Sequence, residues 1–471
     1  MMKNNLDCNL AQETALVAAL IAAFAATFDS ARFAVRFAAQ ITAVTFLLAA
    51  GAAHTALPVQ SWTAKSGAKV LFVEARTIPM IDINIDFDAG ARYDAPAKSG
   101  LSSMTQGLLA LGAMVEGASL TEQQIADRFA DAGAQRGGSA GADRAGVSLR
   151  TLSSQPEREL ALTTFTGMLA APAFSGAVLT REKARRVAAI KEEDTKPDVI
   201  AARAFDAALY GAHPYGRNPT VTTIEAITQA DVQAFYSAHY SARRAVVAII
   251  GDVSRAEAEA IAERISAGLP VGSAAPALAP VPAQTLSEVR IPHPATQSHI
   301  LIGSAVLKRG DPDFFALTVG NYILGGGGFV SRLMEQVREK RGLAYSVYSY
   351  FSPLQQEGPF QAGLQTKKEQ ANEALALVRQ VIGEYVAQGP SAKELRAAKD
   401  NLAGGFALRI DSNRKILDNL AVIGFYGLPL DYLDTWSANV GKVTVEQIRS
   451  AMQRRVKPAQ FSTVIVGTAA Q

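Results

Sequence analysis

The sequence repeats itself. A constant shift of 216 residues carries Thr228 onto Thr444, Val232 onto Ile448, Gly251 onto Gly467 and the pair Tyr210-Gly211 onto Tyr426-Gly427. The same shift lays the apolar strand that ends at Gly251 on Phe461 to Val466. Repetition at a fixed offset settles the architecture before any motif is considered. Each copy reads as one α+β unit, in which strands, a helix pair and a returning strand pack as a sheet against helices. At 471 residues the chain also exceeds what one hydrophobic core organises. The segment 266–287 is rich in Ala, Pro, Gly and Ser and breaks all periodicity, which marks a linker between the copies. The expected division is a leader over 1–56, a first unit over 57–265, the linker over 266–287 and a second unit over 288–471.

Local patterns fill in the first copy. From Pro79 the residues Ile81, Ile83, Ile85 and Phe87 alternate with Asp82, Asn84, Asp86 and Asp88, the period of a strand with one buried face. Carboxylates at period two diverge along a strand, whereas a calcium loop needs ligands converging about a glycine turn. The acidic row is therefore expected to be a solvated strand face. Helical periodicity marks Gly100 to Leu111, Thr121 to Ala132, Thr180 to Glu193, Val199 to Leu209 and Thr228 to His239, and a strand runs from Ala245 to Ile250.

Composition excludes several classes. No stretch in the body of the chain reaches the roughly 18 apolar residues of a membrane span, so no integral membrane segment is expected. Net charge is +3 with Lys and Arg scattered among Asp and Glu, which argues against nucleic acid as a partner. The single cysteine, Cys8, rules out any intrachain disulfide, and no apolar stretch precedes it as a lipoprotein anchor requires. Arg32 and Arg36 before the apolar run Ile41 to Ala50, followed by Gly51-Ala52-Ala53-His54-Thr55-Ala56, read as an export signal processed near residues 52–56. The protein is accordingly expected to be exported and periplasmic, the rival being an amphipathic N-terminal helix on a cytosolic protein.

The most specific chemistry lies in Gln336-Val337-Arg338-Glu339-Lys340-Arg341-Gly342-Leu343-Ala344-Tyr345-Ser346-Val347. A helix from about Ser331 is expected to end at Gly342 and a strand to start at Ala344, leaving Arg338 and Tyr345 on either side of a tight turn. This stretch resembles the C-terminal-half signature of the pitrilysin and mitochondrial-processing-peptidase family of zinc peptidases, the inverzincins. The resemblance runs over residues 62–468. It implies two homologous α/β sandwich domains in a clamshell around a peptide, with Arg338 and Tyr345 holding the substrate carbonyl. A guanidinium and a phenol can donate hydrogen bonds to the oxyanion formed when water attacks a peptide bond, but neither activates that water.

Catalytic members of the family carry HxxEH on a first-half helix, two histidines for zinc and a glutamate as general base. The matching positions here are Ser103, Gln106 and Gly107, and the family's third ligand aligns with Ala189, with Glu192 nearby. The histidines give an independent check, since no two of His54, His213, His239, His293 and His299 stand three or four apart. His213 and His293 precede prolines in apparent loops, and His239 is expected as a capping or surface residue. The resemblance thus implies a chain with no cofactor or metal of its own. Such a chain would be the substrate-binding, non-catalytic subunit of a heterodimer, its zinc supplied by an HxxEH-bearing partner of similar size that cleaves peptides. A homodimer stays open. The alternatives are an inactive peptide-binding or structural scaffold of the same fold and a metallopeptidase with an unrecognised site.

Two glycine runs complete the reading. Gly137-Gly138-Ser139-Ala140-Gly141 matches GxSxG but follows a helix and precedes a strand, the reverse of a nucleophile elbow, and is expected to be a loop. Gly325, Gly326, Gly327 and Gly328 lack the ending of a phosphate loop. They read either as a flexible connection between helices or, by the resemblance, as a glycine-rich loop that handles substrate.

Overall fold

The computed structural model describes residues 57–272, 277–283 and 286–468. The leader expected over 1–56, with Cys8, lies outside them.

The first unit contributes β1 (Gln60–Thr63), β2 (Lys69–Glu74), β3 (Met80–Phe87), a short hairpin of β4 (Gly112–Val115) and β5 (Ala118–Thr121), then β6 (Gln135–Ala140), β7 (Ala145–Leu152) and β8 (Ala245–Gly251). Without the hairpin they form a six-stranded sheet in the order β1-β2-β8-β3-β7-β6. The second unit contributes β9 (Ser287–Pro292), β10 (Gln297–Leu307), β11 (Val347–Phe351), β12 (Gly358–Lys367) and β13 (Ser462–Thr468), ordered β11-β12-β10-β13-β9. Read from opposite ends the two orders match over five strands, β1 alone having no counterpart in the second sheet. In each sheet the returning strand, β8 or β13, runs parallel to the unit's early strand, β2 or β9, and antiparallel to the long central strand, β3 or β10.

The repeated residues have repeated jobs. Thr228 and Thr444 each close a capping box at the start of matching helices, Gln229–His239 and Val445–Arg455, which satisfies orphan amides there. Val232 and Ile448, one turn on, are fully buried. Gly251 and Gly467 both have positive φ, and a Cβ would lie 2.2 Å from Met80 O at the first and 2.5 Å from Gln297 O at the second. Only glycine lets the returning strand pass that close to its neighbour.

The two units exchange helices. Pro197–Tyr210 belongs to the first unit but packs on β10 and β13, while its repeat, Asn413–Tyr426, packs on β2, β3 and β8. Ala201, Phe205 and Leu209 share a core with Leu301, Val464 and Val466. In return Leu417, Leu420 and Ile423 share one with Leu71, Val246, Ala248 and Ile250. Each sheet is thus covered by its own helices on one face and by the other unit's helix on the other, giving two α/β sandwich domains locked as a clamshell.

This exchange overturns the solvated acidic face. Asp82, Asp86 and Asp88 are only 2%, 4% and 8% exposed, because their side of β3 looks at the second unit's helix instead of at water. Buried carboxylates need partners, and each has an arginine. Asp82 takes two bonds from Arg150 at 2.7 and 3.1 Å, Asp86 pairs with Arg144, and Asp88 pairs with Arg92 and with Arg244 at 2.9 Å.

Candidate functional site

The helix Leu101–Leu108 carries Ser103, Gln106 and Gly107, the three positions matched above to HxxEH. Its start is fixed by Asp94, whose carboxylate accepts from Gly100 N at 2.7 Å and Ser102 N at 2.8 Å, the usual satisfaction of orphan amides at a helix N-terminus. Burial raises the Asp94 carboxyl to about 6 against the pull of those amides. Ser103 is exposed and donates only to Gly100 O of its own helix at 2.9 Å. Gln106 is half-buried and donates from Nε2 to Gly146 O of β7 at 3.3 Å. Gly107 faces open space. Ala189 is half-buried on the helix Gly176–Glu193, and Glu192 beside it is engaged by Lys196 at 2.8 Å.

A hydroxyl, an amide, a bare backbone and a methyl group do not make a zinc site, which wants imidazole, thiolate or carboxylate ligands in a tetrahedron. Among the described residues no group of three or more His, Cys, Asp or Glu is placed to hold a metal ion. Three of the described histidines do structural work. His213 is buried, its Nε2 3.1 Å from Ala279 O and its Nδ1 accepting from Tyr215 N. His293 bonds Thr195 O and Ala295 N. His239 is neither a cap nor a plain surface residue. It packs against Tyr93 and Phe235, and burial beside Arg244 lowers it to about 4.

The GxSxG segment is not a loop. Residues Gln135–Ala140 are the edge strand β6, with Gly137 opposite Ser148 and Ser139 opposite Gly146. The glycine at 138 answers to Gln106, whose Nε2 would lie 2.2 Å from a Cβ there. The helix and the edge strand therefore meet at Gln106, an amide set against the bare backbone of Gly138.

Arg338 and Tyr345 are brought together. The Arg338 guanidinium lies 4.9 Å from the Tyr345 ring centroid and 4.7 Å from that of Phe329, a cation between two aromatic faces. Tyr345 is 82% and Phe329 70% exposed, so the cluster faces outward. Its frame is built by the local sequence. Gly342 has φ +61, Gly342 N reaches Arg338 O at 2.9 Å, and Leu343 N reaches Val337 O at 3.0 Å, a left-handed glycine cap that reverses the chain. Two details differ from expectation. Met334–Glu339 is π-helical, which widens the turn, and the strand starts at Val347 because Gly342 to Ser346 is spent on the reversal.

Phe329 was not legible in the sequence, nor was the order of the glycine run. The flexible-connection reading fails for Gly325 to Gly327. Tyr322–Gly326 is a π-turn and Gly328–Val330 a 3-10 turn, with Asn321 and Ser349 exchanging bonds of 2.9 and 2.7 Å beneath. A Cβ at Gly325 would sit 2.6 Å from Ser349 N, and one at Gly327 2.6 Å from Tyr322 O. These glycines are there for tight packing, and the run ends in the exposed pair Phe329 and Val330. Arg338 and Tyr345 make no hydrogen bond, ion pair or ring contact with Ser103, Gln106, Gly107 or Ala189.

Comparison with known proteins places this geometry. A family model described as the peptidase M16 inactive domain matches residues 226–402. A solved peptidase M16 inactive domain from Pseudomonas fluorescens superposes with a TM-score of 0.84 at 40% identity, covering 88% of this chain and 99% of that one. A non-peptidase homolog from Helicobacter pylori is 26% identical over 84% of this chain and 91% of its own length. An uncharacterized zinc protease from Mycobacterium leprae is 28% identical over 59% of this chain, and the match spans 63% of that protein. This chain therefore belongs to the M16, pitrilysin-like peptidase family, as one of its non-catalytic members.

Proposed function

We propose that this protein is the substrate-binding subunit of a two-chain M16 peptidase, completing in trans the active site of a separate subunit that carries HxxEH and its zinc. The observation that carries the reading is asymmetric. The helix that would hold metal presents Ser103, Gln106 and Gly107, while Arg338 and Tyr345 stand preassembled against each other on an exposed surface. A guanidinium and a phenol so held can serve a developing oxyanion only if another chain brings the water and the metal.

Substrate would enter as an extended peptide. Strand β6 is an outermost strand with mostly exposed residues, and its bare glycines leave backbone N–H and C=O groups open to an added strand. Strand β11, directly after the Arg338 turn, is the matching edge in the second unit. Copurification of the native protein from its own cells tests the pairing. An HxxEH chain of similar size recovered at equal stoichiometry supports it, and recovery of this chain only as a monomer or homodimer favours the scaffold reading.

A further inference from the structure

Where the two units meet there is a polar cavity of about 270 Å³, lined by residues other than those of the helix and turn described above. Its polar wall is Lys69, Asp88, Arg92, Arg243 and Arg244 of the first unit, and Gln355 and Phe425 of the second unit close it. Four cations face one carboxylate. That carboxylate is already used, since Asp88 accepts from Arg92, from Arg244 at 2.9 Å and from the Tyr93 hydroxyl at 2.9 Å.

What remains is positive. Arg92 is buried, with Asp143, Gln355, Asp88 and Tyr93 on its terminal nitrogens, yet its Nε has no partner. Among the described residues Arg243 makes no ion pair or side-chain hydrogen bond. Lys69 has a 3.4 Å contact with Gly424 O and no carboxylate. Arg243 is exposed and Lys69 half-buried, so both cations can turn toward a group rich in acceptor oxygens, and the surplus of positive charge around Asp88 favours an anionic one. At about 270 Å³ it falls below the roughly 300–1,000 Å³ of pockets that take drug-sized ligands.

We propose that this cavity binds a small oxyanion of the phosphate class, held by Lys69 and Arg243 at its rim beside the second unit's Gln355. Bound there, the anion ties the two units together and raises the stability of the closed clamshell. Arg92 joins four groups and its removal would disrupt the junction itself, so the informative variants lie at the rim, Lys69→Gln and Arg243→Gln. Calorimetry and thermal unfolding of the full chain, with sodium phosphate, sodium acetate and sodium chloride at matched ionic strength, provide the test. The expected result is saturable phosphate binding with a rise in Tm, weakened about tenfold or more in the double variant, as loss of charge-assisted hydrogen bonds dictates. Equal responses to the three salts, or a phosphate response unchanged in the double variant, would overturn the proposal.

Discussion

The Tyr426 hydroxyl donates to Asp143 Oδ2 across the two units at 2.9 Å. Asp143 is 2% exposed, and the same carboxylate also accepts from the first unit's Tyr215 and Arg92 and from the second unit's Gln355 N at 2.8 Å. Tyr426 is the repeat of Tyr210, whose hydroxyl reaches Glu357 O in the other unit's hairpin at 3.2 Å. Each unit thus sends a tyrosine at the end of its exchanged helix into the other's loop. Tyr426→Phe strands a lone pair on a buried carboxylate and is expected to cost about 1–3 kcal/mol. Urea unfolding measures it, and a change within about 0.5 kcal/mol, the level of an ordinary surface substitution, would argue that the junction is not held this way.

The exchanged helices make the units interdependent. Phe205→Ala on Pro197–Tyr210 removes a fully buried ring from the second unit's sheet, and large-to-small changes of this kind cost about 3–5 kcal/mol. Hydrogen exchange should then show lost protection in β10 and β13, although the substitution lies in the first unit. Loss confined to the first sheet would contradict the exchange.

Asp94 gives stability a pH signature. Its folded-state value of about 6 stands above the ordinary 3.8, so between those values the native state holds more protons than the unfolded one. Acidification through that window therefore stabilises the protein through this group, and the contribution is lost as pH rises through the window to about 6. Asp94→Asn keeps an acceptor for Gly100 N and Ser102 N but cannot titrate. The stability difference, wild type minus variant, should rise from pH 7 to pH 4; a flat difference would mean the carboxyl is not buried as described.

Legibility in the sequence followed what each signal measures. Capping threonines and close-approach glycines are local requirements, so Thr228, Thr444, Gly251 and Gly467 exposed the repeat without any coordinates. Which sheet a buried helix covers is not local. Nothing in the period of Phe205 or Leu420 says that the partner face belongs to the other unit. The acidic row of β3 misled for the same reason, because alternation shows that two faces differ and not that both are covered. Gly137 to Ala140 passed for a loop because glycine lowers strand propensity, while the cause of the glycine at 138 is Gln106 on a distant helix. The Arg338 and Tyr345 pair was legible through the family resemblance, with the turn only supporting it, but Phe329, nine residues before Arg338, carried no signal.

The Arg338 cluster is exposed, so its removal should spare the fold. Arg338→Ala and Tyr345→Phe are expected to change unfolding free energy by less than about 0.5 kcal/mol. In a reconstituted complex the same substitutions should lower kcat by about 10²–10³ each, the loss typical of one oxyanion donor. Unchanged kcat in both would leave the pair as a relic on a scaffold.

The most direct test of a chain without catalysis of its own is a peptidase assay paired with elemental analysis, run on the purified protein with and without an HxxEH subunit. The account predicts no bound zinc and no cleavage from this chain alone, and cleavage on mixing that Arg338→Ala suppresses. Stoichiometric zinc with chelator-sensitive peptidase activity in the isolated chain would contradict it.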